Sequence, residues 1–160
     1  RFEAVKGKLE HAILMRPIAK DATDAITINL SETGLQILLV DSEGRAMFAP
    51  GAAEPTAEAK ALLEETARAL KPLANRLFIE AHADASGAGA YSPFDLTAAR
   101  ANAARRVMEA AGFPANRIAG VTAKGDAFPL YPENPFAAGN RRIEITLEPA
   151  ASLLPDERPL

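Results

Sequence analysis

The run "RLFIEAHADASGAGAYSPFDLTAARANAARRVMEAAG", Arg76 to Gly112, holds a strand, a loop and a helix in immediate succession. Arg76 to Ala81 is short and largely apolar, the pattern of a strand. Small residues follow, as in a loop. A long helix then runs to Ala111, where Gly112 closes it. Thr97 is the expected N-cap, with Asp95 the other candidate. The helix carries an apolar stripe at Leu96, Ala99, Ala103 and Val107.

The flanks extend this unit. Upstream, Thr56 or Glu54 opens another helix, whose stripe Ala59, Leu62, Leu63, Thr66 and Leu70 faces a core and which Pro72 ends. Before it stand two strands, "DAITINL" (Asp24–Leu30) and "LQILLV" (Leu35–Val40), joined by "SETG" as a hairpin. Phe2 to Met15 has helical spacing. Downstream, Arg117 to Lys124 is a strand. A long proline-bearing loop, "GDAFPLYPENPFAAGN", leads to a last strand with Ile143, Ile145 and Leu147 on one face. The core order is β-α-β-α-β-β, preceded by a helix and a strand. Right-handed crossovers place both core helices on one face of the sheet, giving a two-layer α/β sandwich. The expected division is a helix and linker over residues 1–23, one domain over 24–149 and a loose tail over 150–160.

Composition removes several functions. Eighteen Lys and Arg stand against 21 Asp and Glu, mixed along the chain, for a net charge of −3. No basic patch suited to a phosphate backbone is present, so nucleic acid is not an expected partner. The absence of cysteine removes disulfides, thiolate metal sites and thiol nucleophiles. No apolar window is long enough to span a bilayer. The chain opens at Arg1 inside a helical pattern, which leads us to expect a membrane anchor upstream.

Asp84 and Arg100 are the candidates for binding chemistry. Asp84 follows the strand at Arg76–Ala81, and strand C-termini beside helix N-termini are where such sheets place ligands. With the helix starting near Thr97, Arg100 lies in the first turn or so, where the helix end already carries partial positive charge. Arginine is unfavourable there unless an anion joins it, and guanidinium plus amides makes a carboxylate receptor. An acid and a base bordering one loop suit a zwitterion. They also suit a plain ion pair with each other.

"HAD", then "DLTAARANAARRVMEAAG", then "NRRIEITL" resemble the OmpA-like peptidoglycan-binding domain over about residues 24 to 148. "GLQILLVDSEGRAMFAPGAA" and "SPFDLTAARANAARR" resemble, more specifically, the periplasmic part of MotB-type flagellar stator subunits. The resemblance implies a mixed sheet and a non-catalytic domain without cofactor. The implied ligand is peptidoglycan, through the diaminopimelate of its peptide stem. It also implies a homodimer in the periplasm, attached to an inner-membrane span that works with a MotA-like partner. Asp84 and Arg100 match the family's ligand residues. Ala83, Thr97, Phe94 and Arg141 complete the implied site. Ala83 replaces the family's Thr, Pro93 its Asn and Phe94 the stator Trp. A general envelope protein of OmpA or Pal type is the alternative.

Other readings are weaker. His82 and Asp84 are two candidate metal ligands, but the only other histidine is His11, on the N-terminal helix, so no metal is expected. Glu80 and Asp84 form a carboxylate pair that a wall hydrolase would need. Arg105 and Arg106 read as a solvated helix face. The loop aromatics Phe128, Tyr131 and Phe136 suit packing among themselves, or a partner surface.

Overall fold

The computed structural model describes residues 2–15, 25–42, 44–87 and 92–149. Its elements are α1 (Phe2–Leu14), β1 (Ile26–Ser31), β2 (Gly34–Val40), α2 (Ala57–Leu70), β3 (Leu77–His82), α3 (Pro93–Ala110), β4 (Ile118–Ala123) and β5 (Arg142–Leu147), with short 3-10 turns at Ala115–Arg117 and Ala138–Asn140. The five strands form one mixed sheet in the order β1-β2-β5-β3-β4. β3 and β4 are parallel, and every other neighbouring pair is antiparallel. The expected tail, the first residue of the expected first strand and part of the small-residue loop lie outside the described residues.

Period-two alternation explains the layers. Leu35, Ile37 and Leu39 of β2, Leu77 and Ile79 of β3, and Ile143, Ile145 and Leu147 of β5 are almost fully buried. The helices answer with Leu62, Leu63 and Leu70 of α2 and Ala101, Ala104 and Met108 of α3. Each large apolar side chain buried this way contributes about 1.5–3 kcal/mol. The opposite sheet face carries Glu80, His82 and Glu144. α1 joins the core through Val5 and Leu9, and it packs on α2 and β1. Val5 and Leu9 of the N-terminal helix, with Phe2 partly buried beside them, thus pack on the same core. Gly34 turns the β1–β2 hairpin at φ +124°, and a Cβ there would stand 2.1 Å from the Leu147 carbonyl oxygen.

Both ends of α2 follow the sequence. The Thr56 side chain accepts from the Ala59 N–H, and Lys71 closes the helix. The start of α3 does not. Ser92 is the N-cap, its hydroxyl accepting from the Asp95 N–H at 3.1 Å, and Pro93 holds the first helical position. A capped proline adds a turn that the Thr97 and Asp95 readings leave out.

Two crossings bring distant residues to one end of the sheet. β5 lies between β2 and β3 and runs antiparallel to both, so its first residues meet the last residues of each. The connection from β4 to β5 crosses the C-terminal end of β3 and bonds to it. The Ala83 N–H donates to the Gly125 carbonyl at 2.8 Å, and the Ala85 N–H to that of Pro135 at 3.0 Å.

Candidate functional site

A pocket of about 380 Å³ opens at this end of the sheet, with Asp84, Arg100 and Arg141 as its charged lining. Ala83, Ser86, Phe48, Pro50, Leu96 and Phe136 contribute to the rest of the wall. A few charges converge in an otherwise apolar concavity, the usual make-up of a site for a small ligand group.

Asp84 is 6% exposed. Its Oδ1 accepts from the Ser86 N–H at 3.0 Å and from the Ser86 hydroxyl at 2.5 Å, a local turn that fixes the carboxylate. Its Oδ2 accepts from Nη1 of Arg141. Burial opposes its charge, but the bonds from Ser86 and Arg141 prevail and hold the carboxyl below its usual range. Asp84 therefore stays ionised.

Arg141 is shared. Its Nε donates to Asp41 Oδ2 at 2.8 Å while Nη1 holds Asp84. Burial lowers an arginine, but these two carboxylates outweigh it and raise Arg141 above its ordinary value. Asp41 ends β2, and its Oδ1 accepts from the Met47 N–H at 2.6 Å. In Asp41, burial prevails over those bonds and pushes the carboxyl up.

Arg100 stands elsewhere than expected. It is the eighth residue of α3, counted from Pro93, about two turns beyond the helix start. The argument from the helix N-terminus therefore does not apply. Its Nε donates to the Ala52 carbonyl at 2.9 Å and one Nη to that of Ala49 at 3.2 Å. Its guanidinium lies over the Phe48 ring, 4.8 Å from the centroid. Burial lowers it, and Asp41 and Asp84 partly restore it. The expected simple pair of Asp84 with Arg100 does not form. Asp84 pairs with Arg141, and both arginines line the same pocket.

The other expected residues divide. Ala83 lines the pocket. Thr97 is wholly buried and caps nothing. Its hydroxyl donates to the Pro93 carbonyl at 2.8 Å and accepts from the Gly125 N–H at 3.0 Å, pinning the β4–β5 loop to α3. Phe94 does not line the pocket. Its ring covers Gly125, where a Cβ would come within 2.9 Å of it. Arg106 is exposed beside Glu54 at 3.3 Å, and Arg105 pairs with Glu109 at 2.9 Å on the half-buried helix surface.

The run Asn140-Arg141-Arg142 does three different things. Asn140 is fully buried, accepting from the Tyr131 N–H at 2.8 Å and donating to the Asn134 carbonyl at 2.9 Å. Arg141 enters the pocket. Arg142 donates to the Phe128 carbonyl at 2.9 Å and to Glu144 at 2.9 Å. The long loop is thus held by polar clamps, and the Tyr131 ring lies against Gly139 although Phe128, Tyr131 and Phe136 are all largely exposed.

Sequence reasoning missed Asp41, Ser86, Phe48 and Glu144. Glu144 joins Glu80 and His82 on the helix-free face, with one ligand atom from each within 4.8 Å of the others. Arg142 and Gln36 occupy Glu144 at 2.9 Å each, and Lys124 lies 3.8 Å from Glu80. His82 Nε2 is 2.9 Å from Glu144 Oε2. The His82 contact and Arg142 lower the Glu144 carboxyl despite its burial. This cluster is already charge-matched by protein cations. Glu80 belongs to it and does not line the pocket, so the expected pairing of Glu80 with Asp84 is not formed.

The OmpA family matches residues 47–142. LafU of Escherichia coli O44:H18 (strain 042 / EAEC), named as a flagellar export/assembly protein, is 37% identical over 140 residues, covering 85% of this chain and 46% of LafU. Motility protein B of Escherichia coli (strain K12) is 31% identical over 149 residues, covering 91% of this chain and 48% of that protein. The chain thus spans about half the length of these relatives. The crystal structure of the periplasmic domain of Helicobacter pylori MotB (residues 78-256) superposes with a TM-score of 0.66 at 17% identity, covering 79% of this chain and 83% of that one, which shows the shared fold.

Proposed function

The chain is a member of the OmpA family, and from that premise we propose that it is a non-catalytic, wall-binding periplasmic domain of a MotB-like stator subunit. Its ligand is the peptide stem of peptidoglycan, held through the diaminopimelate group. The observation that carries the reading is the pocket itself, where one ionised carboxylate and two guanidiniums face a common space. The ammonium of a zwitterionic side chain sits against Asp84. Its carboxylate takes the N–H donors that Arg100 and Arg141 do not spend on Ala49, Ala52, Asp41 and Asp84. Ala83 replaces a hydroxyl-bearing residue, so more of the hold falls on these charges. An Asp84 kept proton-free is fit to hold a ligand ammonium.

The role is then mechanical. A proton-conducting stator must be held still to push a rotor, and this domain supplies the hold on the wall. The homodimer, the inner-membrane span and the MotA-like partner follow from the same reading. The two motility relatives favour this role over that of a general envelope protein with the same pocket.

Co-sedimentation with purified diaminopimelate-type peptidoglycan tests the proposal. The unmodified domain is expected to pellet with the wall, and folded Asp84→Ala, Arg100→Ala and Arg141→Ala to remain largely in the supernatant. Equal pelleting of all four proteins would exclude the pocket as the binding site.

A further inference from the structure

We infer that Asp41 is a positioning residue of this pocket: it grips Arg141 from behind, and by sharing that guanidinium it leaves Asp84 with charge to offer a ligand ammonium. The ligand named here rests on the wall-binding proposal; the geometry does not.

Asp41 is 5% exposed and absent from the pocket wall, so a ligand does not reach it. It nevertheless touches two of the parts that build the wall. It is held to Arg141 twice, by its own N–H donating to the Arg141 carbonyl at 3.0 Å and by its Oδ2 accepting from Nε at 2.8 Å. This follows from topology, because β2 and β5 are neighbours with Val40 opposite Arg142. Its Oδ1 accepts from the Met47 N–H at 2.6 Å, which secures the segment carrying Phe48, the ring beneath Arg100.

Charge counting gives the consequence. Asp41 and Asp84 share the one guanidinium of Arg141, so that trio carries one net negative charge. Without Asp41, Arg141 would be free to turn wholly onto Asp84 and neutralise it. Arg100 donates to backbone carbonyls and makes no hydrogen bond to Asp84, so its charge acts on both carboxylates through space only. Asparagine cannot substitute for Asp41. Met47 N–H and Arg141 Nε–H meet different oxygens of Asp41, and an asparagine would set its own NH2 donor against one of them.

The test uses nitrogen-15 NMR of the Arg141 Nε–H group, assigned by its loss in Arg141→Lys, together with peptidoglycan binding. In the unmodified protein the Nε–H is expected to exchange slowly with solvent, and in Asp41→Asn or Asp41→Ser about tenfold faster, as befits loss of a charge-assisted hydrogen bond. The same variants are expected to weaken wall binding about tenfold, with no further loss when combined with Arg141→Lys. Unchanged exchange and binding in a folded Asp41 variant would overturn the inference, as would losses that multiply with that of Arg141→Lys. Should neither Asp41 variant fold, solvent-like exchange of Arg141 Nε–H in the native protein overturns it and slow exchange supports it. If the unmodified domain does not bind the wall, the ligand proposal fails, and the exchange rates alone decide the role of Asp41.

Discussion

Replacing Asn140 by alanine removes a side chain that is wholly buried and bonded at both ends. It leaves the Tyr131 N–H and the Asn134 carbonyl without their partner. Each lost bond costs about 1 kcal/mol net, and a donor that water does not reach costs about 1–3 kcal/mol. Tyr131 is 45% exposed, so water takes up part of that loss. The expected destabilisation is about 2–3 kcal/mol, or roughly 4–12 °C in Tm for a domain of this size. Urea unfolding should show a lower midpoint with an unchanged slope. The loop that Asn140 folds also supplies Phe136 to the pocket and the Pro135 carbonyl to the Ala85 N–H, so wall binding should weaken in parallel. A loss below about 0.5 kcal/mol, the range of an ordinary surface substitution, would refute the view that this side chain organises the loop.

Three further outcomes follow from the packing and the charges. Thr97→Val keeps the shape but removes the acceptor of the buried Gly125 N–H, and should cost about 1–3 kcal/mol in chemical denaturation. Leu63→Ala empties a 1%-exposed core site under α2 and should cost about 2–5 kcal/mol by the same measurement. The third is pH-dependent. Because the folded-state Asp84 carboxyl lies below its ordinary value, it adds stability at pH above that ordinary value, and this is lost as pH falls through the folded value. Denaturant midpoints of the unmodified domain and Asp84→Asn should therefore converge as pH drops from 7 through the carboxylate range. A gap that stays constant with pH would contradict the shift.

Much of this architecture was legible because it rests on local periodicity. The continuous apolar run "LQILLV" is an inner strand of the sheet, and the alternation of "RIEITL" and the stripe of α2 each match a buried face. Pairing in space was harder to read. Asp41 and Arg141 are 100 residues apart in sequence, and they meet only because β5 inserts between β2 and β3. Nothing local in "VDSEG" announces that neighbour. A strand-end aspartate before a tight turn is common, so Asp41 carried no signal until the strand order was known. The start of α3 was misplaced for a different reason. Ser92-Pro93 is a good cap followed by a good first helical residue, but attention to Thr97 put the boundary too late and gave Arg100 a helix-end role that it does not have. Asp84 and Arg100 still reach the same pocket. The ion pair, however, belongs to Arg141, which only the strand order brings to Asp84.

The central claim is that the pocket between Asp84, Arg100 and Arg141 receives the peptide stem. The most direct measurement is an amide NMR titration of the labelled domain with a soluble diaminopimelate-containing stem peptide. The account predicts saturable shifts concentrated at residues 83–87, at Phe48 to Gly51 and at Arg141, and absent in Asp84→Ala. Saturable shifts centred elsewhere, or undiminished in that variant, would contradict it.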